Sequence, residues 1–394
     1  MTRRPAHIAM VSIPAHGHVN PSIEVIRELA ARGHRVSYAN DPAFAELIEG
    51  AGATLVPYRT TLPLTGEGEG DWPADPLAVQ RLFLADARAM LPVLREAFEG
   101  DRPDLFLYDI AGCPARVLAA NWGVPALQLS PTFVAWEGFD QDVPELGEAL
   151  RSDGGAHLAA FRGWLAENGV TGIEPMDFLG RPDRSLVLIP RALQPQADRV
   201  DPARYTFVGP AFGDRSHQGS WARPAGAERV LLVSLGSAYT DQPDFYRACL
   251  RAFGELPGWH VVLQIGSHVD PAALGPVPDN VELHSWVPQL AILEQADAFV
   301  THAGMGGTTE GLYCGVPMIA VPQGVDQYAN ADRLVELGVG RRLDTDAATP
   351  EALRAALLDL TADPGVAARL AAIREELRTA GGTAHTADLI EAAL

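Results

Sequence analysis

HIAMVSIPAHGHVNPSIEVIRELAARGHRVSYA, residues 7 to 39, changes its hydrophobic period twice within one stretch. His7 to Ile13 is a short apolar run without a helical stripe. Ile23, Ile26, Leu29 and Ala30 then recur at helical spacing, and Arg35 to Ala39 reads as a second strand. The spacing predicts a helix with Asn20 as N-cap, Pro21 at the first helical position and a stop at Gly33. Strand, loop, helix, strand is the repeating unit of a parallel sheet, because parallel strands need a crossover between them.

Outward from this stretch the alternation continues. Asp104 to Tyr108, Pro125 to Leu129 and Ser185 to Ile189 read as strands, with a helix from Pro114 to Asn121. Residues 137 to 184 are less periodic and rich in Gly, Asp and Glu, which predicts an insertion of loops and short helices. A breaker-rich stretch, GPAFGDRSHQGSWARPAG at 209 to 226, interrupts the pattern. Strands then resume at Val230 to Leu235, Val261 to Ile265, Val281 to His284, Ala298 to Thr301 and Met318 to Val321. Residues 350 to 394 read as helical, broken at Gly381-Gly382.

The expected fold class is therefore α/β, with two successive Rossmann-like, doubly wound parallel-sheet domains. The first is expected over 1–209 and the second over 228–376, joined by a linker at 210–227, with a terminal helix at 377–394 packing back on the first. A chain of 394 residues exceeds what one core usually fills, which agrees with two domains.

Fifty acids against 30 bases give a formal charge of −20, which argues against nucleic acid or an anionic membrane as partner. Every one of the 30 bases is arginine. Without lysine, a P-loop nucleotidase and a Schiff-base mechanism are both excluded. Cys113, Cys249 and Cys314 are odd in number and widely spaced, so no disulfide framework or CxxC site is expected and a cytoplasmic location fits. The apolar run after Arg3-Arg4 is too short for a membrane span and reads as the first core strand rather than a signal peptide.

In open parallel sheets, ligands bind beyond the carboxyl ends of the strands. That rule selects His16 and His18, Asp109, the Ser234-Leu235-Gly236-Ser237 turn, and THAGMGGTTE at 301 to 310. The last places a histidine and three glycines directly before a helix, where unpaired amides and the helix dipole favour an anion such as a diphosphate. The same loop would also serve as an ordinary strand-to-helix turn. Thr309 stands where a dinucleotide fingerprint needs its third glycine, so nicotinamide and flavin lose support. Nearby, Trp286 can stack on a base, Glu310 can accept hydrogen bonds from a ribose, and Asp326-Gln327 can meet sugar hydroxyls.

The stretch WVPQLAIL…FVTHAGMGG…EG…GVP…VPQGVDQ, residues 286 to 327, closely resembles the donor-binding signature of GT-B nucleotide-sugar-dependent glycosyltransferases that modify small molecules. The N-terminal half, with SLVLIP and YTFVGP, is similar to the actinobacterial macrolide glycosyltransferases, and the resemblance spans essentially the whole chain. It implies two domains facing across a cleft, with Trp286 on uracil, and Gln289 and Glu310 on the ribose. His302 with the amides near Gly304 and Gly307 would bind the diphosphate, Ser237 would lie near the phosphates, Thr308 would belong to the donor site, and Asp326 and Gln327 would contact the hexose. Plant relatives carry Trp-Asn-Ser where this chain has Met305-Gly306-Gly307, which leaves phosphate binding there to backbone amides.

The family's catalytic base is the histidine of an H-x-x-P pattern, which His18-Val19-Asn20-Pro21 fits and His16 does not. His18 also lies beside the helix start, where the dipole opposes a positive ring. Asp109 matches the acid that orients the base. The expected reaction is inverting transfer of a hexose, from UDP-glucose, to a hydroxyl of a macrolide or similar hydrophobic acceptor, with inactivation of an antibiotic as one use. The donor and acceptor are the only partners expected, without nucleic acid or membrane, for a monomer or homodimer. No cofactor or metal is expected: Asp344-Thr345-Asp346 imitates a metal-binding DxD but reads as a turn before the helix start at Thr349-Pro350. A TDP-deoxysugar transferase, a sugar-nucleotide epimerase or hydrolase, and a non-catalytic helper protein are the alternatives.

On the acceptor side, His16, Phe133 and Trp136 are candidate contacts. Glu137 to Asp153 holds six acids and one arginine, which would favour a cationic macrolide. A core aromatic pair beside a solvated acidic loop accounts for the same residues equally well.

Overall fold

Strand β1 (His7–Val11) is buried along its whole length and pairs in parallel on both sides. Its residues alternate between faces. Ile8 and Met10 join Ile23, Ile26 and Leu29 of α1 (His16–Ala31) in one core, whereas Ala9 and Val11 join a second core on the opposite face. Each large aliphatic side chain buried this way contributes roughly 1.5–3 kcal/mol. A strand covered on both faces has no polar alternation, which is why the sequence shows a continuous apolar run.

The computed structural model describes residues 4–394 apart from 66, 67, 70, 71, 74, 214, 216, 217 and 238. Of the residues singled out above, Arg3, Asp214, Ser216 and His217 lie outside the described set. The chain divides into two compact units, Met1–Phe212 with Ala380–Leu394, and Gly213–Thr379. The segment expected as a linker is thus divided between them. Trp221 donates to Glu282 and Arg223 to Asp297, both within the second unit.

In the first unit β1 and α1 are followed by β2 (Arg35–Asn40), α2 (Ala45–Gly50), β3 (Thr54–Pro57), the short hairpin β4 (Leu64–Thr65) and β5 (Gly68–Glu69), α3 (Pro76–Glu99), β6 (Leu105–Tyr108), α4 (Cys113–Trp122) and β7 (Ala126–Ser130). The insertion holds α5 (Phe139–Asp142), α6 (Pro144–Arg151), α7 (Ala156–Glu167) and α8 (Pro175–Gly180), before β8 (Ser185–Val187) and β9 (Tyr205–Phe207). Among the described residues the main sheet is seven-stranded and parallel, in the order β3-β2-β1-β6-β7-β8-β9.

The structure corrects the start of α1. Ala15 is the N-cap, and its carbonyl accepts from His18 and Val19, so the helix begins four residues before Asn20-Pro21. Pro21 lies inside the helix, where its ring removes only the bond to the Gly17 carbonyl. Both histidines therefore belong to the first helical turn. Helix α3 also escaped the hydrophobic pattern, although Asp75 caps it by accepting from Leu77 and Ala78, ahead of Pro76. Asp-Pro before an apolar run was the available signal.

The second unit contains β10 (Arg229–Ser234), α9 (Pro243–Phe253), β11 (Trp259–Gln264), β12 (Val281–His284), α10 (Gln289–Leu293), β13 (Ala298–Thr301), α11 (Met305–Cys314), β14 (Met318–Ala320), α12 (Gln327–Glu336), β15 (Gly340–Arg342), α13 (Pro350–Ala362) and α14 (Pro364–Ala380). Its described strands form a six-stranded parallel sheet, β12-β11-β10-β13-β14-β15. The last helix, α15 (Gly382–Glu391), belongs to the first unit: Ala387 and Ile390 enter the core beside α1, and Glu391 accepts from His34 at 3.0 Å. No described helix is long and apolar enough to cross a membrane.

Candidate active-site groups

Each sheet reverses its strand order once next to its first strand, between β1 and β6 in the first unit and between β10 and β13 in the second. At such a switch point the following loops diverge to opposite faces and leave a crevice. In the first unit the first turn of α1, which follows β1, carries His18 and the loop after β6 carries Asp109, and the structure brings them together: His18 Nδ1 and Asp109 Oδ2 are 2.6 Å apart. The Asp109 side chain is 1% exposed and that of His18 23%.

A buried carboxylate needs its lone pairs satisfied. The other oxygen of Asp109 accepts from the backbone N–H groups of Ala111 at 3.0 Å and Gly112 at 2.5 Å. Only glycine fits at 112, because a Cβ there would collide with the Val11 carbonyl oxygen. The carboxylate thus fixes one tautomer: with Nδ1–H donated to Asp109, Nε2 carries the lone pair.

The loop that delivers His18 rests on a buried polar network that sequence reasoning missed. The Tyr38 hydroxyl lies 2.9 Å from both Ser12 Oγ and Ser22 Oγ, and Asn40 Nδ2 donates to the Ser12 carbonyl at 3.0 Å. His16 is exposed, its ring packed edge-on against Phe44 with centroids 5.0 Å apart.

In the second unit the switch point is built from glycine and backbone. The His302 ring lies between Gly236 and Gly304: a Cβ at Gly236 would come within 2.6 Å of its Cε1, and one at Gly304 would collide with its Nε2. Gly304 is the N-cap of α11 and has no side-chain capping bond. Thr308 makes the first helical bond, to Gly304, so the N–H groups of Met305, Gly306 and Gly307 precede the helix's own ladder. Such a terminus suits an anion. Ala303 takes a left-handed φ of 61°, an unfavourable conformation for a residue with a Cβ. Asn330 Nδ2 holds it by donating to the Ala303 carbonyl at 2.9 Å.

Although the His302 residue is only partly covered, its Nδ1 is buried without a hydrogen-bond partner among the described residues. Burial pushes the ring's pKa down to about 4, and the nearby Ser234 carbonyl opposes this without completing a hydrogen bond. The ring is accordingly neutral near pH 7, with one N–H and one lone pair to offer rather than a charge.

Further candidate residues follow β12, β13 and β14 in the chain. Gln289 Nε2 donates to Glu310 Oε2 at 2.7 Å, and a Cβ at Gly307 would sit 3.6 Å from the same nitrogen, so Gln289, Gly307 and Glu310 form one patch. Trp286 is 56% exposed at the end of β12. Gln327 is buried, with Oε1 accepting from the backbone of Gln323 and Gly324, and Asp326 accepts from Asn330 at 3.0 Å. Asn330 therefore ties the His302 loop to the Asp326 loop. Ser237 is exposed beside Gly236, while Thr308 is buried with its hydroxyl unpartnered among the described residues.

The structure qualifies the expectation for the acidic segment. Three of the six acids between Glu137 and Asp153 are matched by arginine: Asp140 faces Arg181, Asp142 pairs with Arg199, and Asp153 with Arg81. That pairing offsets part of the negative charge expected to favour a cationic ligand. Trp136 packs against Phe139 and donates to Asp142 at 2.7 Å, and Phe133 is partly buried. Asp344 is held by Arg342 at 2.8 Å at the start of a short turn, as expected for a structural element.

The family model described as "Erythromycin biosynthesis protein CIII-like, C-terminal domain" matches residues 249–391. The chain is 58% identical to the oleandomycin glycosyltransferase of Streptomyces antibioticus, over 99% of this chain and 91% of that protein. It is 34% identical to the demethyllactenocin mycarosyltransferase of Streptomyces fradiae, over 99% of this chain and 87% of the relative. The solved glycotransferase of kitacinnamycin matches at a TM-score of 0.91 and 56% identity, over 99% of each chain.

Proposed function

We propose, on the premise that this chain belongs to the GT-B glycosyltransferase family of the oleandomycin glycosyltransferase, that it transfers a hexose from a UDP-sugar to a hydroxyl of a macrolide or similar hydrophobic natural product, with inversion. UDP-glucose is the preferred donor in this reading, and antibiotic inactivation one use of the reaction. The observation that carries it is the 2.6 Å pairing of His18 with buried Asp109.

In the proposed step, His18 Nε2 takes the proton of the acceptor hydroxyl as the oxygen attacks the anomeric carbon. The bond from that carbon to the diphosphate oxygen breaks, and UDP departs with the electron pair. Asp109 stabilises the imidazolium formed on His18. The α11 N-terminus suits the charge that develops on the leaving group, and neutral His302 can donate one hydrogen bond to it. An α-linked donor gives a β-glycoside. Catalysis needs no metal in this reading, because backbone donors carry the leaving-group charge.

The test is to incubate the protein with UDP-glucose or a TDP-deoxysugar, with and without a macrolide panel and with EDTA present or absent. The expected result is acceptor-dependent UDP release, insensitive to EDTA, with a β-glycoside by NMR. Conversion of the donor without acceptor would favour an epimerase or hydrolase. Exclusive use of the TDP donor would replace the UDP reading, a retained α-linkage would refute inversion, and loss in EDTA restored by Mg²⁺ would refute metal independence.

A further inference from the structure

Glu310 is nearly fully buried, and both of its oxygens already have partners before any ligand is considered. Oε2 accepts from Gln289, and Oε1 accepts from Arg215 NH1 at 2.5 Å. Arg215 lies 95 residues away in sequence, within the segment that reads as a linker, and belongs to the same structural unit as Glu310. Its side chain is 16% exposed and that of Glu310 8%, so the pair is well shielded from water. Removing one partner from such a pair leaves the other charge uncompensated, which is far more disruptive than losing a surface pair.

An ionised carboxylate offers about four lone-pair directions. With one on each oxygen taken, two remain, and both oxygens are fixed in place by the arginine and the amide. That arrangement matches a vicinal diol, whose two hydroxyls can each donate once. A 2′-deoxyribose presents one fewer donor and leaves a buried acceptor direction unpaired, which is the kind of mismatch that discriminates strongly.

We infer that Arg215 is a positioning residue for nucleotide selection: by holding the Glu310 carboxylate in one orientation, it lets this unit prefer a ribonucleoside diphosphate over its 2′-deoxy counterpart. The inference rests on the UDP-sugar reading above and adds a residue from outside the sheet to the nucleotide-binding patch. Arg215 acts through Glu310 and need not touch the nucleotide.

The experiment is calorimetric titration of the full chain with UDP and 2′-deoxy-UDP, which share a base and differ only at the sugar. Wild type is expected to bind UDP the tighter. Arg215→Met should weaken UDP by about tenfold while changing 2′-deoxy-UDP less, so that the ratio collapses. Arg215→Lys, which keeps the charge, should retain part of the preference. In the Glu310→Gln background, Arg215→Met should have no further effect on the ratio, because the two act as one unit. A merely structural arginine would lower the melting temperature and leave the ratio untouched; that result in the Met variant overturns the inference, while UDP binding by wild type leaves the donor reading standing. Failure of wild type to bind UDP overturns both.

Discussion

In the first unit the gap between β1 and β6 is filled by two side chains, His18 and Asp109, at 2.6 Å. In the second, the equivalent point between β10 and β13 holds one neutral ring, His302, flanked by the side-chain-free backbone of Gly236 and Gly304. The same topological rule yields opposite chemistry. Moving a proton requires a titratable group held by a fixed partner, whereas binding a diphosphate requires backbone N–H groups that a ligand can approach closely. Glycine serves both units but differently: Gly112 lets the backbone reach Asp109, and Gly304 makes room for a ring.

The comparison is most easily broken at His18. General-base assistance contributes roughly 10²–10⁴-fold, so His18→Ala should reduce kcat by that factor while UDP affinity, which the proposal assigns to the second unit, stays unchanged. Retention of more than about a tenth of wild-type kcat would remove His18 from the role of base. His16→Ala, on the same helical turn, separates the two histidines: as an acceptor contact it should raise the acceptor KM rather than abolish kcat.

Gly304→Ala probes the opposite design. Its Cβ would collide with His302 Nε2 and displace the ring or the helix start. The expected outcome is about tenfold weaker UDP binding, equivalent to one hydrogen bond to a charged group, with the His18–Asp109 dyad unaffected. Equal UDP affinity in the variant, measured by titration, would show that the close packing at 304 has no part in nucleotide binding.

The smallest effect concerns pH. His302 has a pKa of about 4 in the folded protein against an ordinary value of 6.5. Between these values the unfolded chain binds the extra proton, so stability from this group is complete above about pH 6.5 and is lost as pH falls toward 4. His7 and His157 are also lowered by burial and act in the same direction. His302→Gln should therefore flatten, without abolishing, the decline of melting temperature across that window. An unchanged pH profile would mean that the ring is protonated as readily in the native state as in the unfolded one.

Much of the fold was legible because buried parallel strands announce themselves as unbroken apolar runs. Nearly all of the strand cores, from HIAMV to MIA, fell where the sequence placed them. The short or edge strands β3, β9 and β15 did not stand out, since an edge strand need not be apolar throughout. The start of α1 was misplaced because Asn20-Pro21 carries strong local capping chemistry, yet the Ala15 carbonyl was available one turn earlier. Of the site, the histidines, Asp109 and the glycine loop could be picked out from position alone, because loops after parallel strands are where ligands bind.

Sequence by itself determined the alternation of strands and helices, the absence of lysine chemistry and the set of loops that could carry function. Those properties depend on local periodicity and residue type. Only the tertiary structure decided that Arg215 reaches Glu310, that Asn330 joins two loops, that Tyr38 supports the helix bearing His18, and that arginines answer the acidic insertion. Each of these joins residues remote in sequence or in separate loops. Hydrogen bonds and ion pairs of that kind follow from where folding brings two backbones, and no spacing along the chain records it.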